Sequence, residues 1–299
     1  MGVKALGAFS GGLDGMVAAS ILCEQGIDVE LATFDSPFFS SEQGRISAEI
    51  LKLPWRKIDY TEKIISLLKY APSGYGKNCN PCIDCHTGMF QMLGRIAEEE
   101  KFDVIFTGEV VGQRPMSQNI HSLRRVARLS GYKDILLRPL SAKILKPTLP
   151  ELDGRIDREQ LLDINGRSRK RQIALAAKYG IKEYPNPAGG CVLTDENYCR
   201  RLKTLMTIPE LFTVENCRLI RHGRFFELAK DTIGLVGRDH TDNMELVKLV
   251  GENMIIELDD NIPGPTCVLL GNPKYRGDLF ALLRRYRRGQ TPREGCPLE

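Results

Sequence analysis

An α/β protein, with a parallel sheet carrying helices on both faces and then a smaller α+β domain, is the fold this sequence predicts. Two observations carry that expectation. Short apolar runs alternate with amphipathic helical stretches through the first half of the chain, which is the rhythm of βαβ units and a parallel sheet. Beyond two proline-rich breaks, Lys146-Pro-Thr-Leu-Pro150 and Tyr184-Pro-Asn-Pro-Ala-Gly-Gly190, the order of elements changes. At 299 residues the chain suits about two domains of roughly 150 residues each. The second break sets the boundary, giving 1–190 and 191–299, with a margin of about ten residues.

In order, Ala5–Phe9 reads as a buried strand and Met16–Gln25 as the helix after it. Asp28–Phe34 is a second strand, followed by a helix over Glu42–Leu53. A third unit starts near Arg56–Tyr60, a long helix ends at Ala97–Glu100, and Val104–Thr107 and Ile135–Leu137 complete the strands. A helix is expected over Arg158–Tyr179. From about residue 195 the pattern gives a helix, two or three short strands around Arg224–Val236 and a helix near Asn243–Val250. Strands at Met254–Leu258 and Thr266–Leu270 and a basic helix close the chain. Parallel sheets bind ligands at the carboxyl ends of their strands, so chemistry is expected in the loops after Phe9, Phe34 and Thr107.

The hydrophobic fraction of 42% and charged fraction of 27% exclude a disordered tail, a collagen-like repeat and a disulfide miniprotein. No apolar run approaches the ~18–20 residues of a membrane helix, and the start MGVKALGAFSGG lacks the regions of a signal peptide. The expectation is a cytoplasmic protein with no membrane partner. Nine cysteines in a reducing compartment point to metal binding or catalysis rather than structural disulfides. The net charge of +4 is mild.

Ser10-Gly-Gly-Leu-Asp-Gly15 lies between a strand and a helix. Its glycines let backbone amides converge and the helix terminus adds partial positive charge, which makes an anion site. Ser10 could donate to a phosphate oxygen and Asp14 could hold magnesium; a plain Gly-Gly turn is the competing explanation. Neither the lysine-bearing P-loop nor G-x-G-x-x-G occurs. SGGLDG resembles the SGG-x-D-S loop of the PP-loop ATP pyrophosphatases, which cleave ATP between the α and β phosphates and adenylate a substrate. The resemblance implies that Ser10, Gly11, Gly12, Asp14 and Gly15 bind ATP with Mg2+. Gly15 stands where the family has serine, so one hydroxyl is missing from the pyrophosphate pocket while the amide stays.

Thr107-Gly-Glu-Val-Val-Gly-Gln-Arg-Pro-Met-Ser-Gln118 follows a strand and resembles the TGE-x-x-GQ-x-x-SQ segment of tRNA 4-thiouridine synthetases. That implies Gly108, Gln113 and Arg114 bordering the nucleotide, with Phe34 near the adenine. Taken alone, Gly108 and Gly112 could merely shape a loop and Phe34 could be core.

Cys79-Asn-Pro-Cys82-Ile-Asp-Cys85-His86 is the densest chemical feature. A C-x-x-C pair brings two thiolates to one metal or to each other. A ferredoxin run fails because position 89 is Met, and Cys191, in the glycine-rich AGGC segment, is the best third ligand. Cys79 or His86 could complete a structural zinc site. Cys23, Cys199, Cys217 and Cys267 read as core, and Cys296 lies near the terminus. NPCIDC also resembles the N-P-C-x-x-C segment of tRNA 2-thiouridylases, in which two cysteines cooperate in sulfur transfer; other thiolating relatives hold a 4Fe–4S cluster on three. The resemblance implies catalytic roles for Cys82, Cys191 and Asp14, or a cluster on Cys82, Cys85 and Cys191, with Zn2+ as the alternative.

Arg167-Ser-Arg-Lys-Arg171, Arg200, Arg201, Arg218, Arg221, Arg224 and Arg284-Arg-Tyr-Arg-Arg288 are the basic clusters. Arginines near aromatics suit phosphate contact and base stacking; a solvated helical face is the plainer alternative. Residues around 220–245 resemble the RNA-binding domain of NFACT-type ribosome-quality-control factors. Arg167, Arg169, Lys170, Arg171 and Arg238 are the RNA-binding candidates.

Together the resemblances imply an ATP-dependent tRNA sulfurtransferase. It would adenylate a uridine carbonyl oxygen, release pyrophosphate, and replace the oxygen with sulfur carried as a persulfide or on a cluster. The implied partners are tRNA, a sulfur donor (a cysteine desulfurase or inorganic sulfide) and a second copy of the chain as a homodimer. The rivals are a PP-loop pyrophosphatase acting on a small molecule with a structural zinc–thiolate site, and a non-catalytic RNA-binding module with a decayed ATP loop.

Overall fold

The computed structural model describes residues 2–186, 191–251, 254–256 and 264–287. Residues 187–190, 257–258, Arg288 and Cys296, each part of an expectation above, lie outside them. The chain divides into two compact units, Met1–Cys191 and Val192–Glu299. No helix among the described residues is long and apolar enough to cross a membrane.

The first unit runs β1 (Lys4–Ala8), α1 (Leu13–Glu24), β2 (Asp28–Asp35), α2 (Glu42–Leu51), β3 (Trp55–Asp59), α3 (Thr61–Lys69), α4 (Cys82–Glu100), β4 (Val104–Thr107), α5 (Ile120–Ser130), β5 (Leu136–Leu137), α6 (Leu149–Leu152) and α7 (Lys170–Lys178). The five strands form one parallel sheet in the order β3-β2-β1-β4-β5, the α/β sheet that alternating strands and helices led us to expect. Chain direction across the sheet reverses between β1 and β4, and the carboxyl ends of those two strands open the crevice in which such sheets bind ligands. α1 is apolar nearly all round, burying Leu13, Met16, Val17, Ala18, Ala19, Ile21 and Leu22. A helix of that composition is stable only when covered on both sides. The sheet covers one side and α7 packs on it from another.

The helix expected over Arg158–Tyr179 starts only at Lys170. Ahead of it a single turn spans Arg158–Gln160. Asn165 then bridges to Val111, and the Gly166 amide donates to the Val111 carbonyl at 2.8 Å. Those pairings, with Gly166 at φ +89°, hold the segment extended against its helical pattern. α5, unmarked by the sequence pattern, is capped by the Asn119 side chain, which accepts from the Ser122 amide, and ends at left-handed Gly131, as helix termini commonly do.

The second unit is α+β: α8 (Glu196–Met206), α9 (Val214–Leu219), β6 (Arg224–Ala229), β7 (Thr232–Val236), α10 (His240–Leu249), β8 (Met254–Ile256), β9 (Cys267–Leu270) and α11 (Arg276–Arg287). Its sheet is antiparallel, in the order β6-β7-β9-β8. Phe226, Val236, Cys267 and Leu269 face Leu279, Leu282 and Leu283 of α11 in its core. Cys217 and Cys267 are core residues as expected, and burial pushes both thiols up to about 12.

Candidate active site

Between β1 and α1, Gly11 sits at φ +79°, and a Cβ there would meet the Gln43 carbonyl oxygen at 2.3 Å; only glycine makes this turn. The Ser47 hydroxyl, from α2, donates to the Gly11 carbonyl at 2.8 Å and fixes the loop. α1 starts at Gly12 with no side-chain cap, so its first amides point outward unpaired by side chains, the arrangement that binds phosphate. Asp14 accepts from the Gln113 side-chain amide at 2.9 Å through Oδ2, while its buried Oδ1 has no partner among the described residues. Buried carboxylate oxygens are rarely left unpaired. An unpaired one beside uncapped helix amides fits a nucleotide phosphate with its Mg2+. Ser10 and Arg114 stand exposed at the margin of this cradle.

Gly108 joins the two halves of the site. A Cβ there would lie 2.4 Å from the Gly15 nitrogen, so the exit of β4 is pressed against the first turn of α1. The next residue, Glu109, is buried; its Oε1 is 3.0 Å from His86 Nδ1 and its Oε2 accepts from Arg138 Nε at 2.9 Å. His86 follows Cys82 by one turn of α4 and shares its face. Burial favours the protonated Cys82 thiol, but hydrogen bonding to His86, the charge of His86 and a hydrogen bond to Ser117 hold it below the ordinary thiol range. Burial likewise opposes charge on His86, yet Cys82 and Glu109 raise it well above the imidazole norm. The result is a thiol–imidazole pair oriented by a carboxylate, with the thiol lowered and the imidazole raised, the environment of a reactive cysteine.

Cys85, three residues on, is buried, and burial followed by the charges of Cys191, Cys82 and Asp84 pushes its thiol well up. Cys191 lies with Sγ 3.9 Å from the Phe38 carbonyl oxygen. Cys85 is thus within electrostatic reach of both Cys82 and Cys191. The three cysteines do not form a ligand set: among the described residues no group of three or more His, Cys, Asp or Glu is arranged to hold a metal ion. The Cys82 sulfur is turned to His86 and Ser117.

Other expected residues serve elsewhere. The Phe34 ring is 6% exposed and packs edge-on to Tyr60 with centroids 5.3 Å apart, which makes it core rather than a surface for adenine. Gly15 lacks the serine hydroxyl because Phe9 occupies the space: a Cβ would meet its ring at 3.0 and 3.2 Å. Of the RNA candidates, Arg167 and Lys170 are exposed and Arg171 pairs with Asp163 at 2.7 Å, whereas Arg169 is half-buried. Arg238 is not a free cation for RNA, since it is bound to Asp242 at 2.5 Å.

Glu109 and Ser117 lay inside the Thr107–Gln118 segment without a role of their own, Arg138 was not singled out, and His86 was considered only as a zinc ligand. The C-x-x-x-H spacing of Cys82 and His86 was a usable signal, as two residues four apart on a helix face each other. Arg138 left none, because it reaches Glu109 only through the pairing of β5 with β4.

Residues 2–145, just under half of the chain, match the family model described as thiamine biosynthesis protein (ThiI). Among solved structures, a 4-thiouridine synthetase bound to RNA and ATP is similar at 20% identity and a TM-score of 0.39, over 60% of this chain and 52% of that one. The chain therefore spans about half the length of that synthetase. A protein of Methanocaldococcus jannaschii described as a predicted tRNA methyltransferase subunit is 17% identical, with a TM-score of 0.35 over 46% of this chain and 67% of the other. The NMN synthetase of Francisella tularensis is 14% identical, with a TM-score of 0.30 over 62% and 89%. The match to the ThiI model thus covers the whole parallel sheet and the cradle after β1.

Proposed function

We propose that this chain is an ATP-dependent tRNA sulfurtransferase. The observation that carries the reading is the adjacency of Gly108, pressed on the first turn of α1, and Glu109, bonded to the histidine that holds the Cys82 thiol. A nucleotide cradle and a reactive sulfur thereby open from neighbouring residues. Asp14 would hold the Mg2+ of the nucleotide, which supplies charge neutralisation at the phosphates. The amides of Gly11, Gly12 and Gly15 stabilise charge as pyrophosphate leaves and the uridine oxygen takes the adenylyl group.

Cys82 takes the outer sulfur of an external persulfide, whose thiolate leaves, and carries it as its own persulfide. The terminal sulfur attacks the activated carbon, the C–O bond breaks and AMP departs. Cys191 then attacks the Cys82 sulfur; the bond to the transferred sulfur breaks, thiouridine is released and a Cys82–Cys191 disulfide remains, which an external thiol reductant reopens. Cys82 suits the first role because its lowered pKa raises the share of the nucleophilic thiolate that accepts sulfur from a donor. A cluster is given no step, since the thiols are not arranged as a ligand set.

The test is purified protein with ATP, Mg2+, unmodified tRNA, a persulfide donor and a thiol reductant, read by mass spectrometry of the tRNA nucleosides. Thionucleoside should form with release of AMP and pyrophosphate. Cys82→Ser should abolish the thionucleoside while ATP still binds. Unchanged nucleosides with every donor would exclude the proposal, and full activity of Cys82→Ser would remove Cys82 from it.

A further inference from the structure

The basic segment Arg167–Arg171 leads into α7, and two of its neighbouring groups are oddly placed for a surface that holds RNA. Gln172 is 0% exposed, yet neither its amide nitrogen nor its amide oxygen has a partner among the described residues. The Arg169 Nε is likewise buried and unpartnered. A buried amide that makes no hydrogen bond costs about 1–3 kcal/mol, so a wholly unsatisfied glutamine calls for a ligand.

The surroundings say which one. Arg169 caps α7 without any side-chain bond, leaving the first amides of the helix unpaired, and Gln172 is its third residue, with a side chain that leans toward that end. At the other end, Lys178 and Tyr179 both bond Glu24, the last residue of α1, at 2.6 Å. Ala176, one turn beyond Gln172 on the same face, is buried in the cluster that contains Val17 and Ile21 of α1. With their carboxyl ends joined and their sides packed, α7 and α1 run in the same direction, which sets their amino ends side by side. The segment entering α7 is itself tied to the nucleotide loop. The Gly166 amide donates to Val111, two residues before Gln113, the partner of Asp14.

Two helix amino ends, an arginine and a buried amide therefore lie beside the loop that carries Gln113. Gly15, where a Cβ would crowd the Phe9 ring at 3.0 and 3.2 Å, offers no hydroxyl to that part of the pocket. We infer that the amino end of α7, through Arg169 and Gln172, binds the β,γ-diphosphate of the nucleotide and the pyrophosphate that leaves it. This rests on the ATP reading above and assigns Arg169 to nucleotide rather than tRNA.

The experiment is calorimetric titration of the full chain with Mg-pyrophosphate and, separately, with AMP, using wild type, Arg169→Ala and Gln172→Leu. Hydrogen bonds to charged groups are worth about 1.5–3 kcal/mol, so each variant should bind pyrophosphate roughly 10–100-fold more weakly with AMP affinity unchanged. Arg169 is only half-buried, so its variant keeps the test open if Gln172→Leu fails to fold. Unchanged pyrophosphate affinity in Arg169→Ala overturns the inference, as does an equal loss of AMP binding or a loss confined to tRNA binding. Wild-type protein that binds neither AMP nor pyrophosphate sinks the ATP reading itself, while binding to wild type with indifferent variants sinks this inference alone.

Discussion

Each of the two units holds a buried carboxylate between an arginine and a histidine. Glu109 has Arg138 Nε at 2.9 Å and His86 Nδ1 at 3.0 Å; Asp242 has Arg238 Nε at 2.5 Å and His222 Nδ1 at 3.6 Å. Both carboxyls are held down to about 2: Glu109 against its burial by the charge of Arg138 and the hydrogen bond from His86, Asp242 chiefly by the hydrogen bond from Arg238. The histidines part company. His86 is raised because, against its burial, a thiol and a carboxylate both bond it. His222 is lowered because burial, helped by Arg221, outweighs the distant Asp242. Asp242 in turn receives the Arg238 amide, and its own amide bonds Asp239, the cap of α10. The same three residue types thus make a helix start in one unit and a thiolate in the other, and the histidine's second neighbour decides which.

The largest expected effect tests the arginines. Arg138 is 4% exposed and Arg238 48%. Removing one partner of a buried pair costs about 3–5 kcal/mol because it strands a charge, whereas an exposed partner is worth about 1 kcal/mol or less. Urea denaturation should therefore separate Arg138→Met from Arg238→Met by several-fold in lost stability, and equal losses would dissolve the distinction.

Next come the histidines. A depressed thiol pKa keeps Cys82 reactive below the ordinary thiol range of about 8.5. His86→Gln leaves burial unopposed and moves the midpoint up, so alkylation of the Cys82 peptide by iodoacetamide at pH 7 should slow about tenfold or more, one pKa unit being tenfold in thiolate. His222→Gln should leave that rate alone. If the two substitutions behave alike, the thiolate does not depend on His86.

The smallest effect lies in acid. A carboxyl lowered in the folded state stabilises above its unfolded pKa and loses that contribution as pH falls through the folded one. For both residues this window runs from about 4 down to about 2. Glu109→Gln and Asp242→Asn should each flatten the fall of unfolding free energy there to a similar degree, while only Glu109→Gln changes Cys82 alkylation. A flattening by one alone would show that the two carboxyls are not electrostatic equals.

The cradle was legible because its chemistry is local: a glycine turn, an uncapped helix and one acid lie within six residues, Ser10–Gly15. The amino end of α7 was not, since Val111 pairs with Asn165 from 54 positions away and overrules the helical pattern of Arg158–Ser168. The Phe34 ring illustrates the same limit, for its apolar character was plain and the Tyr60 edge that receives it was not.

Sequence alone determined the alternation of strands and helices, the site of the phosphate turn and the presence of cysteines one helical turn apart, because each depends on neighbours along the chain. Only the tertiary structure decided that Cys82 ends a chain running through His86 and Glu109 to Arg138, and that Arg238 belongs to a helix start. Charge states of buried groups are set by whatever the fold brings within a few ångströms, and such contacts have no fixed spacing in sequence.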